Sequence, residues 1–250
     1  MIGLQLSGFM IVIINKWLPA EAKEKLIGFG LSNSMKMEFM ELETQGIVHP
    51  TLSCHPDIFF CNTPSVLVVS PSVPDEYNDF LTAHKAPFKP GTRSTVMQHP
   101  GEVYYSASVS EQFLVHHLQY TDPVILENCH YLNKIDVRQG YTSCSLILLK
   151  KGHYLTSDKG IDMTLEQKGL KGLYIPSEEI FLPGFQNGQI GGTMGLYKET
   201  LFIAGSLDHF GEGEVIRNFI QKLNYSVIEL IEGPLTDYGG ILFPESGYES

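Results

Sequence analysis

Two short polar segments contain the side chains best suited to chemistry in this sequence. His55 and Asp57 flank a proline in the first segment, and Cys144 follows Ser143 in the second. A cysteine is a strong nucleophile once a nearby base such as histidine takes its proton. The sequence therefore offers Cys144 and His55 as candidate catalytic residues. The alternative interpretation of Cys144 is a buried structural thiol, since a leucine-rich run follows it.

A second set of polar side chains could hold a cationic or polar ligand. Its members lie near the starts of predicted strands and helices, and they are Asp57, Gln139, Tyr141, Ser143, Asp158 and Asp237. In a strand, His55 and Asp57 would share one face because they are two residues apart. Two of the acids also have a structural interpretation: Asp57 could bond turn amides after Pro56, and Asp158 could cap a helix start.

Residue types that bind zinc also occur in the first segment, at Cys54, His55, Asp57 and Cys61. Their spacing resembles no established zinc motif, and a strand would point Cys54 and His55 to opposite faces. We therefore predict neither a metal site nor a cofactor.

Composition narrows the classes of partner. The 250 residues include 28 acidic and 17 basic side chains, and the net charge of −11 argues against a nucleic-acid binder, which needs a positive surface. The apolar start, Met1 to Ile14, lacks the basic flank of a signal peptide, and no apolar run is long enough to span a membrane. The expectation is one cytoplasmic domain over residues 1–250 that binds a small molecule. The sequence does not decide between a monomer and a homodimer.

An internal repeat organises the chain. Two apolar strands, a helix and a closing strand recur, and the units start at His55, Gly101, Ser143, Gly192 and Tyr238. The spacings of 42 to 49 residues indicate one supersecondary unit used repeatedly. The last unit lacks its second half, whereas Met10–Asn15 and the helix after it supply a surplus half at the N-terminus. We therefore predict an α/β fold of five ββαβ units, closed by pairing of the two terminal segments.

The repeat and its motifs resemble a known superfamily. The motifs are His55-Pro56-Asp57, Arg138 to Ser145, Thr156 to Ile161, Leu182 to Phe185, Ile190 to Gly192 and Asp237 to Phe243. As a set they resemble the pentein, or guanidino-group-modifying, fold, which includes arginine and agmatine deiminases, dimethylarginine dimethylaminohydrolase and the amidinotransferases. They are most similar to an uncharacterised bacterial family of that fold. The resemblance implies a five-bladed, pseudo-symmetric α/β propeller with a central pore.

The resemblance also implies a catalytic set that this sequence lacks. In the enzymes a cysteine of the fifth unit attacks the guanidinium carbon, after a Gly-Gly-Ile-His-Cys run in the agmatine deiminases. Here Gly239-Gly240-Ile241 leads to Leu242-Phe243, and Gln189 to Gly195 contains no histidine. We therefore expect a small cationic or polar ligand, which could carry a guanidino group, to bind in the pore. A hydrolase of an amidino C–N bond that uses Cys144 or His55 is one alternative, and a non-catalytic protein-binding scaffold is another.

Overall fold

The computed structural model describes residues 8–44 and 46–245, which alternate short strands with helices. The strands are β1 Gly8–Asn15, β2 Met35–Leu42, β3 Phe60–Asn62, β4 Leu67–Val69, β5 Phe88–Pro90, β6 Ser108–Val109, β7 Phe113–His116, β8 Asn133–Asp136, β9 Leu146–Leu149, β10 His153–Thr156, β11 Lys171–Tyr174, β12 Met194–Tyr197, β13 Thr200–Ile203 and β14 Ser226–Glu229. The helices are α1 Ala20–Ser32, α2 Pro56–Phe59, α3 Asp75–Ala83, α4 Pro123–Asn128, α5 Thr142–Ser145, α6 Lys159–Gln167 and α7 Gly213–Lys222. None of the described helices is long and apolar enough to cross a membrane.

The strands of the described residues form five small sheets that follow the predicted repeat. Four sheets have three strands each: β3-β4-β5, β6-β7-β8, β9-β10-β11 and β12-β13-β14. In each, the first strand runs antiparallel to the middle strand, and the last runs parallel to it. A parallel partner needs a crossover, which α3, α4, α6 and α7 supply. The predicted strand–strand–helix–strand order is therefore present in four successive units.

The two ends of the described chain meet at the remaining sheet. β1 and β2 pair in parallel, with α1 as their crossover. Leu242 forms an antiparallel bridge to Ile13, and each residue donates its N–H to the other's carbonyl, at 2.9 and 3.0 Å. The C-terminal segment thus takes the place that the first strand holds in the other sheets. This pairing agrees with the predicted contact between the terminal segments.

Each middle strand sends alternate side chains into two different hydrophobic cores. In β4, Leu67 and Val69 join the core shared with β1 and β2, whereas Val68 joins the core shared with the β6-β7-β8 sheet. The same alternation occurs in β1, β7, β10 and β13, so that five cores link each sheet to the next and β12-β13-β14 to β1-β2. Strands buried on both faces are apolar throughout, which explains their uninterrupted apolar runs.

The starts of the units differ from the prediction. His55 and Asp57 do not lie in a strand: His55 precedes α2, which contains Asp57, and β3 begins only at Phe60. Cys144 likewise lies in the helical turn α5, and the strand begins at Leu146. Pro56 explains the first case, because its fixed φ and missing N–H suit the first position of a helix. The shared strand face expected for His55 and Asp57 was therefore wrong.

Candidate active site

Four of the predicted site residues come together where α2, α5 and the C-terminal segment meet. We call His55, Asp57, Cys144 and Asp237 the central cluster. All four side chains are buried, at 2% to 7% exposure. The backbone holds the segments together here, since the N–H of Asp57 donates to the carbonyl oxygen of Gly239 at 3.1 Å. Residues far apart in the chain thus form one polar group inside an apolar core.

Asp237 is the acid of the cluster whose two oxygens both accept hydrogen bonds. Its Oδ1 accepts a hydrogen bond from the N–H of Gly239, and its Oδ2 accepts one from the N–H of Gln189, both at 2.9 Å. Burial raises the pKa of this carboxyl, and His55 and the two N–H groups partly offset the rise. The carboxylate fixes the glycine turn on one side and the segment before Gly191 on the other. Its role in the structure is to position the backbone.

His55 lies beside Asp237, with 3.7 Å between Nδ1 and Oδ1. Burial lowers the pKa of the imidazole, and the charge of Asp237 only partly compensates. A buried histidine with a lowered pKa is favoured in the neutral form. His55 is therefore suited to accept a proton or a hydrogen bond from a ligand rather than to supply a positive charge.

Asp57 has the most unusual environment in the cluster. Neither carboxylate oxygen accepts a hydrogen bond of ordinary geometry, although both are buried. Burial raises its pKa to about 7, repulsion by Asp237 adds to the rise, and the thiol of Cys144 beside it partly offsets both. Buried polar groups are nearly always hydrogen-bonded, which makes the poorly satisfied Asp57 the most distinctive residue of the cluster.

Cys144 is adjacent to this carboxylate and to a pair of serines. Its Sγ lies 3.6 Å from the Oγ of Ser106, which in turn hydrogen-bonds the Oγ of Ser143 at 2.8 Å. Burial raises the pKa of the thiol well above its usual value, and the charges of Asp57 and Asp237 raise it further. The protonated thiol is thus strongly favoured. Ser106 was missed by the sequence analysis because no motif marks it.

Tyr141 packs, half-buried, against the core that contains Cys144. Burial raises the pKa of its hydroxyl, and Glu102 beside it adds to the rise. Tyr141 also fixes a neighbour, since its N–H donates to the Oε1 of Gln139 at 3.0 Å. Among the remaining predicted residues, it is Tyr141 and Ser143 that border the central cluster.

Gln139 and Asp158 lie instead in an outer groove beside α6. The groove has a volume of about 520 Å³, and its lining includes Arg138 and Met163. Gln139 donates from Nε2 to the Oδ2 of Asp158 at 2.9 Å, while Oδ1 of Asp158 accepts from the N–H of Ile161 at 2.8 Å. Asp158 is therefore the N-cap of α6, which agrees with its structural interpretation.

Glycines form the walls around Asp237 and His55. A Cβ at Gly192 would lie 1.9 Å from Oδ1 of Asp237, and one at Gly239 would lie 2.3 Å from Cβ of His55. Only a glycine lets the backbone approach Asp237 and His55 this closely at these two positions. Within the described residues, no group of three or more His, Cys, Asp or Glu side chains is arranged to hold a metal ion.

Phe243 marks the position where the resemblance places a catalytic cysteine. Its side chain is buried and packs against the rings of Phe202 and Tyr197, at centroid distances of 5.1 and 5.7 Å. The position belongs to the apolar core between β13, β1 and α1.

Comparisons with known proteins agree with the topology. A family model described as a family of unknown function, DUF6873, matches residues 19–242. The search of curated proteins gave no match. Among solved structures, an agmatine deiminase of C. jejuni with substrate bound is similar, with a TM-score of 0.56, 10% identity and coverage of 98% of this chain and 96% of that one.

Two further structures carry the same fold. The dimethylarginine dimethylaminohydrolase of Pseudomonas aeruginosa, in complex with citrulline, gives a TM-score of 0.53 at 14% identity and covers 89% of this chain and 92% of its own. The inosamine-phosphate amidinotransferase of Streptomyces griseus gives 0.52 at 9% identity, with 92% and 80% covered. At these identities the likeness shows the fold alone, which is the pentein, or guanidino-modifying, fold.

Proposed function

Since the chain belongs to DUF6873, a family of unknown function, and has the guanidino-modifying fold, we propose that it binds a small cationic ligand at the central cluster without turnover. The ligand class is a guanidino or amidino compound. One observation carries the proposal: both oxygens of Asp57 are buried and accept no hydrogen bond of ordinary geometry, and the groups closest to them are the Cys144 thiol and the N–H of Asp57 itself. A planar guanidinium offers several N–H donors and a positive charge, which together satisfy such a carboxylate.

We infer further that the five sheets form a closed, five-bladed propeller around this cluster, within a single domain over residues 1–250. Two features support the closure. The five cores connect the sheets in a cyclic order, and the bridge between Ile13 and Leu242 joins the terminal segments. Closure would leave no long strand edge exposed, which is a common solution in β-propellers.

Binding without turnover is supported by the residues at the expected catalytic positions. Phe243 supplies no nucleophile, and the segment from Gln189 to Gly195 contains no histidine. Cys144 is buried, and its raised pKa disfavours the reactive thiolate. An amidine carbon yields only to a strong nucleophile, so the cluster is better suited to hold a guanidinium than to cleave it.

Thermal unfolding with a panel of guanidino compounds tests the binding. At concentrations about a hundredfold above Kd, a ligand should raise the Tm of the wild type by roughly 5–10 °C. The Asp57→Asn variant should show no such rise, because the amide keeps the shape and loses the charge. Asp158→Asn is the matched control, since Asp158 lies in the outer groove, and its Tm should rise as in the wild type. A panel that shifts none of these proteins would reject the proposal.

A second candidate function is favoured by the contact between the Cys144 thiol and the Asp57 carboxylate. Asp57, with a pKa of about 7, could take the thiol proton, so that Cys144 forms an S–C bond to an amidino carbon. The C–N bond then breaks as the amine leaves with that proton, and water cleaves the S–C bond and restores the thiol. This arrangement would make the protein an atypical hydrolase.

Alkylation rates separate the two candidates. For a binding protein we expect iodoacetamide to label Cys144 more than about tenfold more slowly than free cysteine, because burial and a raised pKa remove the thiolate. Peptide mass spectrometry gives the rate for each of the four cysteines. Labelling of Cys144 well ahead of Cys54, Cys61 and Cys129 would instead support the hydrolase.

A further inference from the structure

The central cluster buries two carboxylates without a permanent cation. Asp57 and Asp237 are both enclosed, and neither pairs with a lysine or arginine in the described part of the chain. His55 is the basic group beside them, and its pKa is lowered by burial. Two uncompensated negative charges in a low-dielectric interior are strongly destabilising. A proton or a bound cation must therefore neutralise one of them.

The surroundings of the two carboxylates decide which one is neutral. Asp237 accepts two backbone N–H groups, which stabilise its charge. Asp57 accepts none of ordinary geometry. The other titratable groups around Asp57 are the thiol of Cys144 and the hydroxyl of Tyr141, and their raised pKa values keep both neutral. In the empty protein the proton therefore belongs on Asp57.

We propose that the central cluster exchanges a proton for a cation: Asp57 holds the proton when the cluster is empty and releases it when a cationic ligand binds. The inference rests on the proposed function, since it concerns the same ligand at the same residues. During the exchange the O–H bond of Asp57 breaks, its electron pair stays on the carboxylate, and the proton passes to solvent. The net charge of the cluster is the same before and after, because one positive charge replaces another.

The exchange makes binding depend on pH. Burial, with a contribution from Asp237, raises the pKa of Asp57 to about 7. Below that pH a cation must displace the proton, so its affinity should rise about tenfold for each pH unit. Above it the affinity should level off. The cluster thus favours ligand release at acidic pH and ligand retention at alkaline pH.

Infrared difference spectroscopy tests for the proton without any ligand. In the wild type, the carbonyl band of a buried carboxylic acid should disappear in a titration centred near the pKa of about 7. Asp57→Asn should lack this transition, and His55→Gln should retain it. A carbonyl band and transition that Asp57→Asn retains would place the proton on another carboxyl, such as Asp237, and overturn the proposal. So would a wild type with no such band.

Calorimetry with methylguanidine tests the exchange itself. Titrations at about pH 6 in two buffers of different ionisation enthalpy should show close to one proton released per ligand bound, falling towards zero at about pH 9. Binding with no proton release at pH 6 would overturn the exchange and leave the proposed function standing. If methylguanidine, agmatine and arginine all fail to bind the wild type, the proposed function is wrong and the exchange with it. The infrared result would then still decide whether Asp57 is protonated.

Discussion

Replacing Asp57 with Asn is expected to stabilise the protein at alkaline pH and to lose that effect as the pH falls towards about 4. The folded pKa of Asp57 is about 7, against 3.8 for an unperturbed aspartate. Between these values the folded state binds a proton that the unfolded state lacks, so the wild type becomes less stable as the pH rises. The shift sets an upper limit of about 4 kcal/mol for the loss at pH 7 and above. An asparagine does not ionise and so avoids the loss.

Urea denaturation of both proteins at several pH values measures this difference. The free energy of unfolding of Asp57→Asn minus that of the wild type should increase between about pH 4 and pH 7 and then stay constant. Since both proteins contain His55 and Asp237, most of the pH dependence of those groups cancels in the difference. A difference that does not change with pH would contradict the raised pKa and the protonated Asp57.

Asp237→Asn provides a matched comparison for Asp57→Asn, because the same chemical change is made at the neighbouring acid. Asp237 accepts hydrogen bonds with both oxygens, whereas an asparagine would turn its NH₂ towards one of the two N–H donors. An unsatisfied buried donor costs about 1–3 kcal/mol. At about pH 5 we therefore expect Asp237→Asn to be less stable than the wild type and Asp57→Asn to be more stable, because at that pH the unfolded Asp57 is already ionised and the folded one is not.

The repeat could be predicted from the sequence because its signal is physical and local. Leu67–Val69 in β4 and residues 201–203 in β13 are buried on both faces, and so each forms a short apolar run in the sequence. The helices between them show helical periodicity, and Asp122 with Pro123 indicates the start of α4, where its side chain accepts from the N–H of Val124. The pairing of Met10–Asn15 with the C-terminal segment was predicted because the last repeat unit lacks its second half and the N-terminus supplies it.

The local geometry of the site could not be predicted in the same way. The helical turns that contain Asp57 and Cys144 are four residues long, too short to show a period, and were interpreted as strand residues. The hydrogen bonding of Asp57 depends on the C-terminal segment around Asp237, which lies about 180 residues later in the chain. The residue types at His55, Asp57 and Asp237 indicated a site. Only the three-dimensional structure shows that Asp237 accepts backbone hydrogen bonds of ordinary geometry and that Asp57 does not.

Gly239→Ala is expected to destabilise the protein by roughly 3 kcal/mol or more. Gly239 has φ = +75°, a conformation that costs an alanine about 1–2 kcal/mol. The new Cβ would also lie 2.3 Å from Cβ and 2.5 Å from Cα of His55, and backbone atoms cannot move aside as a flexible side chain would. Overpacking of this kind adds about 1–3 kcal/mol.

The control for this variant is Gly169→Ala, at the end of α6. Gly169 has a similar φ of +83°, but a Cβ there would meet nothing within 4 Å. The two variants share the backbone cost, so the difference between their urea midpoints measures the contact with His55. Equal losses of stability would mean that the turn at Gly239 moves easily enough to accommodate the Cβ beside His55. A larger loss is expected for Gly239→Ala. The N–H of Gly239 donates to the carboxylate of Asp237, and its carbonyl accepts from the N–H of Asp57, so any movement of the turn disturbs both acids.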